Sequence, residues 1–130
     1  MYLFDSSSLV NLVKKGIVKP FVEGVTLDLA IYESISVIWK EYVLLKRIDE
    51  ETALRFVSTI SRVFEAMEVT SISGLESEIF KLASKENLTV YDASYLCVAV
   101  GRRLTLVTDD WKLRSIASKY TRVLASGDLT

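Results

Sequence analysis

Tyr2-Leu3-Phe4-Asp5-Ser6-Ser7-Ser8-Leu9-Val10-Asn11-Leu12-Val13 is the stretch on which the fold turns. Three apolar residues run without interruption, an acid and three serines break the run, and apolar residues return at positions 9, 10, 12 and 13 with the spacing of one helix face. That order reads as strand, turn, helix. A short strand with no polar alternation is buried on both faces, as in a parallel sheet covered by helices.

Working outward, the same unit recurs. Val25-Thr26-Leu27 is a second short strand, and Ile31, Ile35, Ile38, Tyr42 and Leu45 mark one long amphipathic helix after it, with Asp28 placed to cap it. Asp49 opens a third helix that runs to about Ala66, Val69-Thr70-Ser71-Ile72 is a strand, and Leu75 to Lys85 is a helix. Thr89-Val90-Tyr91-Asp92 leads into an apolar helix from Ala93 to Val100. Leu104 to Val107 is a strand, Trp111 to Tyr120 a last helix, and Arg122-Val123-Leu124 a last strand. Strands alternating with helices predict the α/β class, an α/β/α sandwich around a central, mostly parallel sheet.

The chain has 130 residues, 50% of them hydrophobic, which suits one core and is short for two, so residues 1–130 are expected to form a single domain. With one proline, five glycines and no charged tail, nothing in it reads as a linker. Met1 to Asp5 contains no basic segment, which argues against a secretory signal. Every apolar run is broken by charge, as at Glu33, Lys40 and Glu41, well short of the ~20 residues of a membrane span. The lone Cys97 sits in an apolar run and reads as a buried small hydrophobe. These features suit the cytoplasm.

A net charge of −1 excludes the broadly basic surface that announces nucleic-acid binding, so any such activity must come from a local site. Histidine is absent, which removes imidazole catalysis, histidine-ligated zinc and every Ser/His or Cys/His triad. An enzyme of this composition would work with carboxylates and a hard metal.

In open parallel sheets the working site lies beyond the carboxyl ends of the strands. Asp5 and the pair Asp109-Asp110 stand directly after strands, and each is equally placed to be a helix N-cap. Thr89-x-x-Asp92 has the spacing of a capping box. Glu33 lies beyond the first turn of its helix, where capping cannot account for it, though a solvated face can. What singles out the four is their joint pattern: one acid after the first strand, one inside the second helix, one at the head of an apolar helix, one after a late strand.

Leu3-Phe4-Asp5-Ser6-Ser7-Ser8-Leu9, Tyr32-Glu33, Tyr91-Asp92-Ala93-Ser94-Tyr95-Leu96 and Leu106-Val107-Thr108-Asp109-Asp110-Trp111-Lys112-Leu113 together resemble the ordered motifs of PIN domains, most closely the VapC toxin nucleases of type II toxin–antitoxin pairs. The resemblance spans nearly the whole chain. It implies Asp5, Glu33, Asp92 and Asp110 as catalytic acids, with Asp5, Asp92 and Asp110 as metal ligands and Ser6, Thr108 and Asp109 as further ligands or supports. Ser7 stands where many relatives have Asn, and Asp109 where they often have a small residue; motif register favours Asp110 over Asp109 as the outer ligand.

A carboxylate cluster repels a phosphodiester unless a cation intervenes. Mg²⁺ or Mn²⁺ takes oxygen ligands and keeps several waters. The resemblance implies RNA as substrate, cleaved to a 5′-phosphate and a 3′-hydroxyl. It also implies an antitoxin partner and a homodimer, and Tyr32, Trp39 and Val43, apolar in excess of the core stripe on the second helix, offer a surface for such contacts. Lys112, Arg114 and Lys40 read first as solvated helix residues, and Arg102-Arg103 as cations at a helix C-terminus. Alternatives are a PIN-type RNA-processing nuclease without an antitoxin, or a non-catalytic module on the same fold. An aspartyl phosphotransferase is disfavoured because Asp5-Ser6-Ser7 lacks a second early acid.

Overall fold

The computed structural model describes residues 1–130. Five strands, β1 (Tyr2–Phe4), β2 (Val25–Leu27), β3 (Glu68–Thr70), β4 (Thr105–Val107) and β5 (Val123–Leu124), form one sheet in the order β3-β2-β1-β4-β5. Every pairing is parallel. The register sets Leu3 opposite Val25 on one side and Leu106 on the other. The α/β/α arrangement expected from the alternating pattern is what folds. The central strands are mostly apolar because helices cover both faces: Leu3, Phe4, Val25, Leu27, Leu106 and Val107 are all fully enclosed, and the one polar side chain buried among them, Thr26, donates its hydroxyl to the Phe4 carbonyl.

The chain lays strands outward from β1 to β3 and then returns to place β4 on the other side of β1. The connection therefore reverses between β1 and β4, and in doubly wound sheets the crevice at such a reversal is where ligands bind. Asp5 ends one of these two strands and Thr108-Asp109-Asp110 follow the other.

Six α-helices join the strands: α1 (Ser6–Lys14), α2 (Leu29–Trp39), α3 (Glu50–Ala66), α4 (Glu76–Glu86), α5 (Val90–Gly101) and α6 (Trp111–Ala117). Their starts follow local chemistry. The carboxylates of Asp5, Asp49 and Asp110 accept from the backbone N–H groups of Ser8, Thr52 and Leu113, so each caps a helix. Helix α4 ends on Asn87 in the left-handed conformation, φ 53°, a position that favours Gly or Asn. Gly24 enters β2 so close beneath the Phe4 ring that a Cβ there would lie 2.7 Å from it, a clash that only glycine avoids.

Several local expectations are corrected. Asp28 makes no side-chain cap to α2. The long helix expected to reach Leu45 is α-helical only to Trp39 and continues as a π-helical turn over Lys40–Leu44. Its core-facing residues are Ala30, Ser34 and Ile38, whereas Ile35 faces outward with Tyr32 and Trp39. The apolar period therefore drifts around the helix instead of marking one stripe. Cys97 is half-buried, its thiol 3.8 Å from Glu78 at the α4–α5 contact, because its position on α5 looks along the helix pair and not into the sheet. Arg102 is held by both carboxylate oxygens of Glu68, at 2.6 and 3.0 Å, a partner 34 residues away in sequence. No helix is long and apolar enough to cross a membrane.

Candidate active site

Asp5 leaves β1 with its backbone N–H still bonded to the Val107 carbonyl, 3.2 Å, so its carboxylate opens at the seam between the two central strands. It is 4% exposed. One oxygen accepts from the Ser8 backbone N–H at 3.0 Å and from the Ser7 hydroxyl at 2.8 Å; the other accepts a short hydrogen bond from the Thr108 hydroxyl. Burial outweighs these donors and pushes the carboxyl up to about 6.

Thr108 is wholly buried and also accepts the Asp110 backbone N–H at 3.1 Å. Ser7 accepts the Asp109 backbone N–H at 3.0 Å while donating to Asp5. Two hydroxyls thus stitch the start of α1 to the segment after β4. Ser6, the hydroxyl implied by the resemblance, hydrogen-bonds neither Asp5 nor Thr108; Ser7 makes that contact.

The adjacent acids Asp109 and Asp110 have different surroundings. Asp109 accepts from Asn11 Nδ2 at 2.6 Å, the Ser126 backbone N–H at 2.8 Å and the Ser126 hydroxyl at 2.6 Å. Its partial burial raises the carboxyl, but the Asn11 and Ser126 donors together overcome that and hold it below the usual aspartate value. Asp110 spends one oxygen on the cap of α6, 2.8 Å from the Leu113 N–H, and is otherwise exposed.

Asp92 sits in the first turn of α5. Half of the expected capping box is present: its backbone N–H reaches the Thr89 hydroxyl at 3.1 Å. Its carboxyl is raised first by burial and then by the negative charges of Asp110 and Glu33, against a weaker opposing pull from Thr89 and Lys112. That mutual repulsion is the signature of acids gathered with less positive charge than would balance them. Glu33, on the second turn of α2, accepts the Tyr95 phenol at 2.7 Å. Tyr95 is 1% exposed, and burial and the Glu33 charge drive its phenol far above the usual value.

The four predicted acids come from the end of β1, from α2, from α5 and from the start of α6: Glu33 and Asp110 are near enough to Asp92 to raise its carboxyl, and Glu33 and Asp5 both act on the Tyr95 phenol. No three of the carboxylates converge tightly enough to make a ready cage. The donors are all oxygens, unbalanced by any ion pair, and Mg²⁺ is bound through one or two carboxylates with water completing its shell. In chemistry the set fits a hard divalent ion. Sequence reasoning missed Tyr95 as a functional group, although its i, i+3 spacing from Asp92 places it on the same helix face. It also missed Asn11 and Ser126, whose roles depend on contacts 98 and 17 residues away.

The profile of the PIN domain matches residues 1–119, and the chain belongs to the PIN domain family. Its relatives include two Pyrobaculum aerophilum proteins. Exonuclease VapC9 is 34% identical over 114 residues, 86% of this chain and 82% of the relative, and Ribonuclease VapC3 is 36% identical over 95 residues, 73% and 70% respectively. The crystal structure of PAE2754 from the same organism superposes with a TM-score of 0.80 at 32% identity, covering 98% of this chain and 85% of that one. By fold and by kinship this is a VapC-type PIN domain.

Proposed function

We propose that this protein is a divalent-metal-dependent endoribonuclease, the toxin of a type II toxin–antitoxin pair, acting in the cytoplasm. The observation that carries the reading is the gathering of Asp5, Glu33, Asp92 and Asp110 at the switch point of the sheet, with Asp92 raised by its acidic neighbours.

Asp5, Asp92 and Asp110 are the proposed ligands of Mg²⁺ or Mn²⁺, and Glu33 is the fourth catalytic acid. A bound ion would supply charge neutralisation at the phosphate and a more acidic water. The chain's own work is to aim the donors. Thr108 and Ser7 fix both oxygens of Asp5, the cap of α6 fixes one oxygen of Asp110, and Tyr95 fixes one oxygen of Glu33. Asp110 is favoured over Asp109 as the outer ligand because it is exposed with one oxygen free of any hydrogen bond and acts on Asp92, whereas Asp109 is turned toward Asn11 and Ser126. Asp109 then supports the site, together with Thr108; Ser6 is the remaining candidate hydroxyl.

The same acids give a docking point for a cationic side chain of an antitoxin, whose apolar part would cover Tyr32, Ile35 and Trp39, which are 78%, 40% and 51% exposed. A homodimer belongs to the same reading.

Incubating a mixed linear RNA pool and a circular RNA with Mg²⁺, Mn²⁺ or EDTA tests the proposal. Cutting of both RNAs, with metal required and 5′-phosphate ends, is expected. Loss of linear RNA with the circle intact makes the protein an exonuclease, and cleavage undiminished in EDTA overturns the metal.

A further inference from the structure

Trp111, Arg114, Ser115, Ser118 and Val123 line an open groove of about 240 Å³ along the outer edge of the sheet, between α6 and β5. Its first residue follows Asp110 directly, and its ring is 78% exposed. Tyr91 stands in the same relation to Asp92, 61% exposed. Two of the acids that repel one another thus each carry an open aromatic ring as sequence neighbour. Neither ring is paired with another aromatic or covered by a cation within the chain.

The lining of the groove describes its occupant. A flat indole offers a π face, Arg114 lies one helical turn on and, although its charge reaches Asp109, makes no ion pair at contact distance, and the two serines offer hydroxyls. A base, a phosphate and a sugar match these three features in turn. The volume is below the roughly 300 Å³ at which pockets enclose a whole small ligand, which suits one unit of a polymer whose next unit lies toward Asp110, the residue preceding Trp111. The bases of a duplex have their faces occupied by their own neighbours, whereas those of a single strand are free to stack on protein rings.

We propose that this groove is a subsite for unpaired nucleotides of single-stranded RNA flanking the bond to be cut, with Trp111 as the stacking platform and Arg114 as the phosphate contact. The inference rests on the nuclease reading above and adds that the substrate is held by its base faces.

The test uses the full chain and a fluorescein-labelled 12-nucleotide RNA of mixed sequence, single-stranded or annealed to its complement. Affinity is read by anisotropy in EDTA, and cleavage of the single strand in Mn²⁺ is followed in parallel. Trp111→Ala is expected to weaken single-strand binding by roughly 5- to 100-fold, to raise KM more than it lowers kcat, and to leave duplex binding unchanged. Trp111→Phe should recover most of the loss, and Arg114→Ala should reduce the salt dependence of binding by about one charge. If wild type cleaves RNA and Trp111→Ala binds and cleaves equally well, the subsite is wrong and the nuclease stands. If wild type cleaves no RNA with either metal, the nuclease reading falls and takes the subsite with it. Trp111→Ala that dissociates a dimer by sedimentation while binding RNA normally makes the ring a protein contact and overturns the proposal.

Discussion

Asp5 and Asp109 are the same residue type at the ends of neighbouring strands, and they have been put to opposite uses. Each accepts three hydrogen bonds, but Asp109 is only partly buried and is held acidic by Asn11 and Ser126, whereas Asp5 is buried more deeply than its donors can offset and is pushed up to about 6. A carboxylate whose charge is fully compensated by its donors serves the fold. One whose charge is undercompensated costs the fold stability and retains a demand for a cation. Strand-end position alone does not distinguish them; the count of donors against burial does.

Removing the undercompensated charge should produce the largest effect. Asp5→Asn is expected to lower RNA cleavage at least 100-fold while raising the melting temperature of the metal-free protein at pH 8. The gap between about 6 and the ordinary aspartate value corresponds to roughly 3 kcal/mol, an upper bound on the relief that converts to a ceiling of about 11 °C for a chain of this size. A less stable Asp5→Asn protein with full activity would break the contrast with Asp109.

Next in size, Asp110→Ala should harm cleavage more than Asp109→Ala, each normalised to folded protein. The order of stability should be reversed: Asp109→Ala strands buried donors, about 2 kcal/mol, whereas Asp110→Ala loses one cap, about 1 kcal/mol. Thermal melts beside initial rates read both rankings, and if Asp109→Ala proves the more damaging to cleavage, the ligand role passes to Asp109.

Tyr95→Phe deletes only the hydroxyl that holds Glu33. Metal-induced stabilisation, read as the rise in melting temperature with added Mn²⁺, should need about 10-fold more metal, with little change in the metal-free melt. An unaltered Mn²⁺ titration would reduce Tyr95 to a core residue.

The smallest expected effect is on the pH profile of the metal-free protein. Asp5 has a folded value above its unfolded one, so the folded state binds the extra proton: stability from this group is fully present below about 4 and is lost as pH rises through about 6. Asp109 has the opposite sign; its contribution is present above the unfolded value and is lost as pH falls through its lowered one. Between pH 7.5 and 5.5 only the first should register, as a modest gain on acidification in urea melts. Asp5→Asn should remove most of that gain, leaving the smaller share of the raised Asp92 carboxyl, and Asp109→Asn should leave it unchanged.

Much of this architecture is legible locally. The break from Phe4 to Asp5 and the return of apolar residues at Leu9 mark strand and helix without any knowledge of partners, and the same holds at Val107 and Trp111. The four acids stand out by position, and the PIN resemblance adds their order. What is not legible depends on distance or drift. The π-helical turn at Lys40–Leu44 replaces a helix whose apolar spacing looked continuous, and nothing nearby announces it. The division of labour between Asp109 and Asp110 is decided by Asn11 and Ser126, residues with no local mark of that role. Tyr95 hides in an apolar run because its one polar atom is used on a residue 62 positions away.

The Thr108 hydroxyl that completes the seat of Asp5 arrives 103 residues after it in the chain, and β1 has β4 as one of its two neighbours. During synthesis the first strand must therefore wait for almost the whole protein before the centre of its sheet can close. At about 5–20 residues per second that delay is on the order of 5–20 s. On the proposed assignment, products terminated before the fourth strand lack both the outer acid, Asp110, and the Thr108 hydroxyl behind Asp5. If the proposed ribonuclease activity holds, the order of its strands would keep the nascent chain harmless to the machinery translating it.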